Sequence, residues 1–108
     1  MNNISPSVTV FMATYNTSEY LEEAIESILS QTYRDFELLI VNDGSTDNTS
    51  EILETFQDER IRIINNIENK GLTYTRNIAL KEARGQFIAV MDSDDIAYPN
   101  RLAIQVEA

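Results

Sequence analysis

The densest concentration of chemistry-bearing side chains is Asp92-Ser93-Asp94-Asp95, three carboxylates within four residues, directly after the apolar run Phe87-Ile88-Ala89-Val90-Met91. Ionised carboxylates this close repel one another and need compensation. A hard divalent cation supplies it, Mg²⁺ or Mn²⁺ held through one or two carboxylates and the phosphates of a ligand. The other reading is a solvated acidic turn that caps the following helix. Three more polar clusters also end apolar runs: Thr14-Tyr15-Asn16, Asn42-Asp43-Gly44 and the stretch from Asn65 to Gly71. Asp43 can accept hydrogen bonds from a base or ribose, with Gly44 permitting close approach. It can equally head an Asp-Gly turn in which Ser45 or Thr46 caps a helix. Tyr15 can stack on a planar base, or Thr14-Tyr15-Asn16 can be turn chemistry alone. Lys70-Gly71 can reach a phosphate or form an ordinary loop, and Arg76 is either an anion ligand or a surface arginine paired with a carboxylate.

Which of these readings holds depends on where the elements put the clusters. Val8-Thr9-Val10-Phe11-Met12-Ala13 and Phe36-Glu37-Leu38-Leu39-Ile40-Val41 are nearly continuous apolar runs, as in strands covered on both faces. Leu21, Ala24, Ile25, Ile28 and Leu29 recur at helical spacing, with Glu22, Glu23 and Glu26 opposite. Thr17 or Ser18 caps that helix, and Glu19 suits its dipole. Cap residues from Ser45 to Ser50 lead into a second helix with Ile52, Leu53 and Phe56 inward. Arg62-Ile63-Ile64 is a short third strand. Leu72, Thr75, Ala79 and Ala83 mark a third helix, with Gly85 where a C-terminal cap belongs. Phe87 to Met91 is a fourth strand, and Pro99 opens a last helix with Leu102, Ala103 and Val106 inward. Strands alternating with helices imply an α/β fold with a mostly parallel sheet and right-handed crossovers. All four polar clusters then fall on one rim, beyond the carboxyl ends of the strands, where such sheets bind ligands. The sequence reaches Ala108 inside the last predicted helix, so residues 1–108 read as the N-terminal part of something longer.

Composition narrows the chemistry. The 108 residues contain no cysteine and no histidine, which excludes disulfides, thiolate zinc sites, cysteine nucleophiles and any histidine base or ligand. Carboxylates, hydroxyls, amides, lysine and arginine remain. Eighteen acidic against eight scattered basic residues give a net charge of −10, which argues against a nucleic-acid partner. An acidic protein can nevertheless hold a phosphorylated ligand when a divalent cation bridges the two. No run approaches the ~18 apolar residues of a membrane span, and no signal pattern opens the chain, so it reads as cytoplasmic, or as the cytoplasmic part of a longer protein.

Read together, the motifs resemble those of family 2 glycosyltransferases. The opening Val8 to Asn16 with Tyr20-Leu21 is similar to that family's first strand and loop. Ser27 to Tyr33, then Phe36 to Asp47, is similar to its second signature almost letter for letter. Asn69-Lys70-Gly71 with Arg76-Asn77, Ala83-Arg84-Gly85, and Met91-Asp92-Ser93-Asp94-Asp95 complete the set in order, and the likeness runs along essentially the whole chain. The resemblance implies a GT-A fold, with residues 1–108 as its nucleotide-sugar-binding part, incomplete at the C-terminus. It implies that Asp43 and Gly44 meet the nucleotide base, with Thr14, Tyr15, Asn16 and Glu19 lining the nucleoside pocket and Lys70 and Arg76 facing the nucleotide. Asp92-Ser93-Asp94 corresponds to the Asp-x-Asp motif, with Asp94 as metal ligand, Asp92 toward metal or ribose, and Asp95 an additional carboxylate. The implied reaction is inverting transfer of a sugar from a nucleotide-diphosphate sugar, UDP-linked foremost, to a hydroxyl of a saccharide or lipid-linked acceptor, with Mg²⁺ or Mn²⁺. The general base is expected beyond Ala108. Leu72, Thr73, Tyr74 and Thr75 replace the family's usual small residues, and Tyr74 leaves the donor sugar open.

Three other acidic or nucleotide-handling α/β classes fit less well. A receiver domain needs a lysine after its last strand, and a haloacid-dehalogenase-type phosphatase places Asp-x-Asp after its first strand. A sugar-phosphate nucleotidyltransferase opens with a glycine-rich loop and a basic residue. The alternative from a different class is a donor-binding module without transferase activity of its own, with self-association through an exposed sheet edge or apolar patch.

Overall fold

A computed structural model describes residues 6–91. Four parallel strands, β1 (Val8–Thr14), β2 (Phe36–Asp43), β3 (Ile61–Asn66) and β4 (Phe87–Val90), form one sheet in the order β3-β2-β1-β4. The helices α1 (Ser18–Leu29), α2 (Thr49–Glu54) and α3 (Leu72–Glu82) connect them. The first two crossovers step outward from β1 to β3, and the third returns past β1 to β4. With right-handed crossovers this reversal puts α1 and α2 on one face of the sheet and α3 on the other.

The core divides accordingly. On one face Val8, Val10 and Met12 of β1 and Leu38 and Ile40 of β2 pack against Leu21, Ala24, Ile25 and Ile28 of α1 and Leu53 of α2. On the other, Phe11, Leu39 and Val41 meet Ala79 of α3, with Ala13, Ile64 and Ile78 around them. β1 and β2 carry apolar side chains on both faces because both faces are covered, as their unbroken apolar runs require. Burying a side chain such as Leu21 or Ile25 stabilises the fold by about 1.5–3 kcal/mol each, and the glutamates at positions 22, 23 and 26 keep the outer side of α1 in water.

Two expectations about helix ends need correcting. α3 ends at Glu82 with Ala83 as its C-cap, so Gly85 is not the cap. A Cβ at Gly85 would lie 2.5 Å from the Thr9 nitrogen and 2.6 Å from the Val8 carbonyl carbon: glycine is there because the chain crosses directly over the β1 backbone. Thr17 is the N-cap residue of α1 but makes no side-chain cap bond, and neither does Asn48 before α2. Asp47 fulfils the role for both. Its Oδ2 accepts the Ser18 N–H of α1 at 3.2 Å, and its Oδ1 accepts the Thr49 N–H of α2 at 3.0 Å together with the Thr49 hydroxyl. One carboxylate therefore sits at two helix N-termini, where the backbone dipoles favour negative charge. The Asx pattern Asp47-Asn48-Thr49 carries half of this in sequence; the reach to α1 exists only in the fold. Among the described residues no helix is long and apolar enough to cross a membrane. The last predicted helix, around Pro99, lies outside the described residues.

Candidate functional site

The order in which the chain adds its parallel strands reverses between β1 and β4, and open parallel sheets bind ligands at the carboxyl ends of the strands beside such a switch. Three of the four polar clusters meet there. A cleft is lined by Ala13 and Thr14 of β1 and Tyr15 just after it, Asp43 from β2, and Asn69, Gly71 and Thr75 around the entry to α3. Met91 donates its N–H to the Phe11 carbonyl at 2.9 Å, which continues the β1–β4 pairing one residue past Val90. Asp92, Ser93, Asp94 and Asp95 themselves lie outside the described residues.

Asp43 is the best-held group in the cleft. Although it is 4% exposed, four donors surround its carboxylate. Oδ1 accepts the Asn66 side-chain amide and the Lys70 N–H, both at 2.8 Å, and Oδ2 accepts the Gly71 N–H at 2.9 Å and the Asn69 side-chain amide at 3.1 Å. Burial pushes its pKa up, but these hydrogen bonds and the nearby Lys70 charge outweigh it, and the carboxyl is held below the usual aspartate range. Asp43 is thus ionised and anchors the loop between β3 and α3.

Gly44, next to it, has φ of +71°, and a Cβ there would sit 2.4 Å from the Asn69 nitrogen. Its small size therefore admits the backbone of the neighbouring loop. Asn42 continues the same stitching, donating to Asn65 at 3.2 Å and to the Ser50 hydroxyl at 3.1 Å.

The remaining expected residues divide into scaffold and surface. Asn16 takes a left-handed conformation, φ 54°, that asparagine tolerates better than most residues. Its Oδ1 accepts the N–H groups of Thr46 at 2.8 Å and Asp47 at 3.3 Å, and its own N–H donates to the Ser45 hydroxyl at 3.1 Å. Asn16 thereby clamps the loop after β1 to the loop after β2. Buried Thr14 shares a hydroxyl–hydroxyl bond of 2.7 Å with Thr17. Tyr15 lines the cleft and is half-exposed, 47% accessible. Glu19 is exposed on the first turn of α1.

Lys70 contributes to the site through its main chain, because its ammonium pairs with Glu68 at 3.0 Å. Glu68 is also why the Lys70 pKa is raised. Arg76 is exposed on α3 and forms no ion pair among the described residues. The roles of Asn66, Asn69 and Thr75 were not legible in sequence, since polar loop residues carry no signal of what they face.

The comparisons with known proteins match this arrangement. The family model described as Glycosyl transferase family 2 matches residues 9–108. The chain belongs to that family. It is 43% identical over 99 residues to the Escherichia coli UDP-Glc:alpha-D-GlcNAc-diphosphoundecaprenol beta-1,3-glucosyltransferase WfgD, covering 92% of this chain and 39% of that one. Among solved structures, S. aureus TarS 1-349 in complex with UDP superposes with a TM-score of 0.86 at 31% identity, over 94% of this chain and 31% of that chain. The mannosyltransferase PcManGT from Pyrobaculum calidifontis, in complex with GDP-Man and Mn²⁺, superposes at 0.80 with 30% identity, over 94% and 31%. The family 2 chain described here therefore spans roughly a third of the length of these relatives. Its parallel sheet with flanking helices is the Rossmann-like GT-A architecture of those structures.

Proposed function

We propose that this chain is the nucleotide-sugar-binding part of an inverting glycosyltransferase that takes a nucleotide-diphosphate sugar, UDP-linked in preference, as donor. The observation that carries the reading is the cleft itself. An ionised, buried Asp43 and a half-exposed Tyr15 ring converge at the strand ends of a family 2 domain. The UDP and GDP-Man complexes of structural neighbours support a nucleotide donor. The acceptor proposed is a hydroxyl on a saccharide or lipid-linked saccharide, supported by the diphosphoundecaprenol acceptor named for WfgD. A cytoplasmic site of action, at the membrane face when the acceptor is lipid-linked, belongs to the same proposal.

In this reading Tyr15 stacks on the base and Thr14 walls the nucleoside side of the cleft. Asn16 holds the two rim loops at fixed spacing, Glu19 borders the pocket, and Arg76 offers its exposed guanidinium to the nucleotide. Asp94 and Asp92 would hold a divalent cation, Mg²⁺ or Mn²⁺. Three carboxylates in four residues suit a hard ion that also takes phosphate oxygens, and the Mn²⁺ complex of PcManGT supports the class. When bound, such an ion supplies charge stabilisation to the departing nucleoside diphosphate. It also offsets the repulsion between an anionic donor and a chain of net charge −10. The general base is proposed to lie beyond residue 108, so the isolated chain is expected to bind donor without transferring sugar.

Calorimetric titration with UDP, GDP and CDP, each with and without Mn²⁺, tests the proposal. Metal-dependent binding of UDP is expected, lost in Asp94→Ala with the fold retained by circular dichroism. An Asp94→Ala variant that binds UDP and Mn²⁺ as wild type does would remove the metal assignment.

A further inference from the structure

Two carboxylates stand at opposite ends of one face of β2. Side chains alternate along a strand, so Glu37, Leu39, Val41 and Asp43 share a face, the one on which Leu39 and Val41 meet Ala79 of α3. The strand from Glu37 to Asp43 runs about 20 Å. The eleven residues of α3 rise about 16 Å, so the helix and its two flanking turns match the distance between the carboxylates.

Each carboxylate takes main-chain donors from one end of that helix. Asp43 accepts the Lys70 and Gly71 N–H groups where α3 begins. Glu37 accepts the Arg84 N–H at 2.7 Å, two residues past the last turn. Further bonds at that end run through groups that Glu37 holds. The Thr9 hydroxyl donates to Glu37 and accepts the Gly85 N–H at 2.9 Å, while Arg62 pairs with Glu37 and donates to the Glu82 carbonyl at 2.8 Å. Between its ends α3 has little apolar anchorage. Among its described side chains only Thr75 and Ala79 are buried, whereas α1 buries Leu21, Ala24, Ile25 and Ile28. Segments with few buried apolar contacts open below the free energy of global unfolding.

We infer that α3 and its flanking turns form a separately opening unit, latched to β2 at one end by Glu37 and at the other by Asp43, which lifts off the sheet whole while the strands stay paired. A continuous helix transmits the release of either latch to the other, because little apolar contact between them holds it down. Asn69, Gly71 and Thr75 belong to this unit and line the cleft, so each opening removes one cleft wall. The latches set how often that wall is absent and leave its shape in the docked state unchanged. While the docked form dominates, a weaker Glu37 latch therefore leaves affinity at the cleft as it was. The inference does not depend on what the cleft binds.

Native-state hydrogen exchange of the ligand-free chain in low urea, with Glu37→Gln and Asp43→Asn alongside wild type, tests it. In wild type the Lys70, Gly71, Thr75, Ala83, Arg84 and Gly85 amides should share one opening free energy, below that of the amides of β1 and β2. Glu37→Gln should speed exchange at Lys70 and Gly71, at the far end of the helix, by the same factor as at Arg84 and Gly85. Asp43→Asn should do the same in the other direction. The expected factor is roughly 10- to 100-fold, as for the loss of one charge-assisted hydrogen bond. Acceleration confined to Arg84 and Gly85 in Glu37→Gln, with Lys70 and Gly71 unchanged, would show two ends fraying independently and overturn the unit. Wild-type α3 amides as slow as those of β1 and β2 would overturn it as well. Thr9→Val, which removes the Gly85 acceptor while keeping the side-chain shape, gives the same readout if Glu37→Gln does not fold.

Discussion

The Gly71 N–H donates to Asp43 Oδ2 at 2.9 Å, joining the last residue of β2 to the residue that opens α3. Through that bond and its three companions, a side chain at the carboxyl end of the inner strand β2 determines where the third crossover begins its helix. The carboxylate at the end of β2 and the loop that borders the cleft are therefore one unit.

Replacing Asp43 by Asn keeps one acceptor oxygen and turns an amide N–H₂ toward groups that are themselves donors. Losing charge-assisted bonds of this kind should destabilise the fold by about 2 kcal/mol, read as a lower urea midpoint. Hydrogen exchange should quicken at Lys70 and Gly71 before any nucleotide is added, and nucleotide binding should weaken. Unchanged exchange at both amides would show that the loop holds its place without the carboxylate.

Gly44→Ala meets two obstacles, a φ of +71° and a backbone nitrogen of Asn69 within 2.4 Å of the new methyl group. The left-handed conformation alone costs a non-glycine residue on the order of 1–3 kcal/mol. The clash can be relieved only by pushing the loop away from the rim. A lower thermal midpoint together with loss of nucleotide binding is expected; full binding at full stability would mean that the two loops can separate freely.

Acid should weaken the contact between the N-termini of α1 and α2. The hydrogen bond from the Thr49 hydroxyl, partly opposed by desolvation and joined by bonds from Ser18 and the Thr49 N–H, lowers the Asp47 pKa to about 2. A carboxyl depressed in the folded state contributes stability that is complete above its ordinary value of 3.8 and disappears as pH falls through about 2. Stability measured from pH 5 to pH 2 should therefore decline less steeply in Asp47→Ala than in wild type. At neutral pH the variant should be less stable by about 1 kcal/mol, the usual effect of losing a helix cap.

At the opposite end of the sheet, Glu37 supports the fold without touching the cleft. It is 5% exposed, pairs with Arg62 at 2.9 Å, and accepts the Thr9 hydroxyl at 2.6 Å and the Arg84 N–H at 2.7 Å. Burial raises its pKa, but these partners outweigh burial and hold the carboxyl ionised below its usual value. Glu37→Gln should cost about 2 kcal/mol of stability by leaving charged and polar partners short of an acceptor. Nucleotide affinity in the folded fraction should stay at the wild-type level. A parallel drop in affinity would reveal coupling between the two ends of the sheet.

Much of this protein was legible in its residues. The unbroken apolar runs of β1 and β2, the helical spacing of Leu21, Ala24, Ile25 and Ile28, and polar clusters after every strand require a covered parallel sheet with one polar rim. Hydrophobic periodicity is local, so it can be read along the chain. The motif set from Val8 to Asp95 likewise pointed to family 2, and the family match bears that out. Partner choice is another matter. That Asp47 serves two helices, that Gly44 makes room for a backbone, that Gly85 lies against β1, and that Asn66 and Asn69 converge on Asp43 all depend on residues 20 or more positions apart. Loop side chains of one polarity look alike in sequence. Only the strand order and the helix approach decide which donor meets which acceptor, because a hydrogen bond is made over about 3 Å and only the folded chain sets distances on that scale.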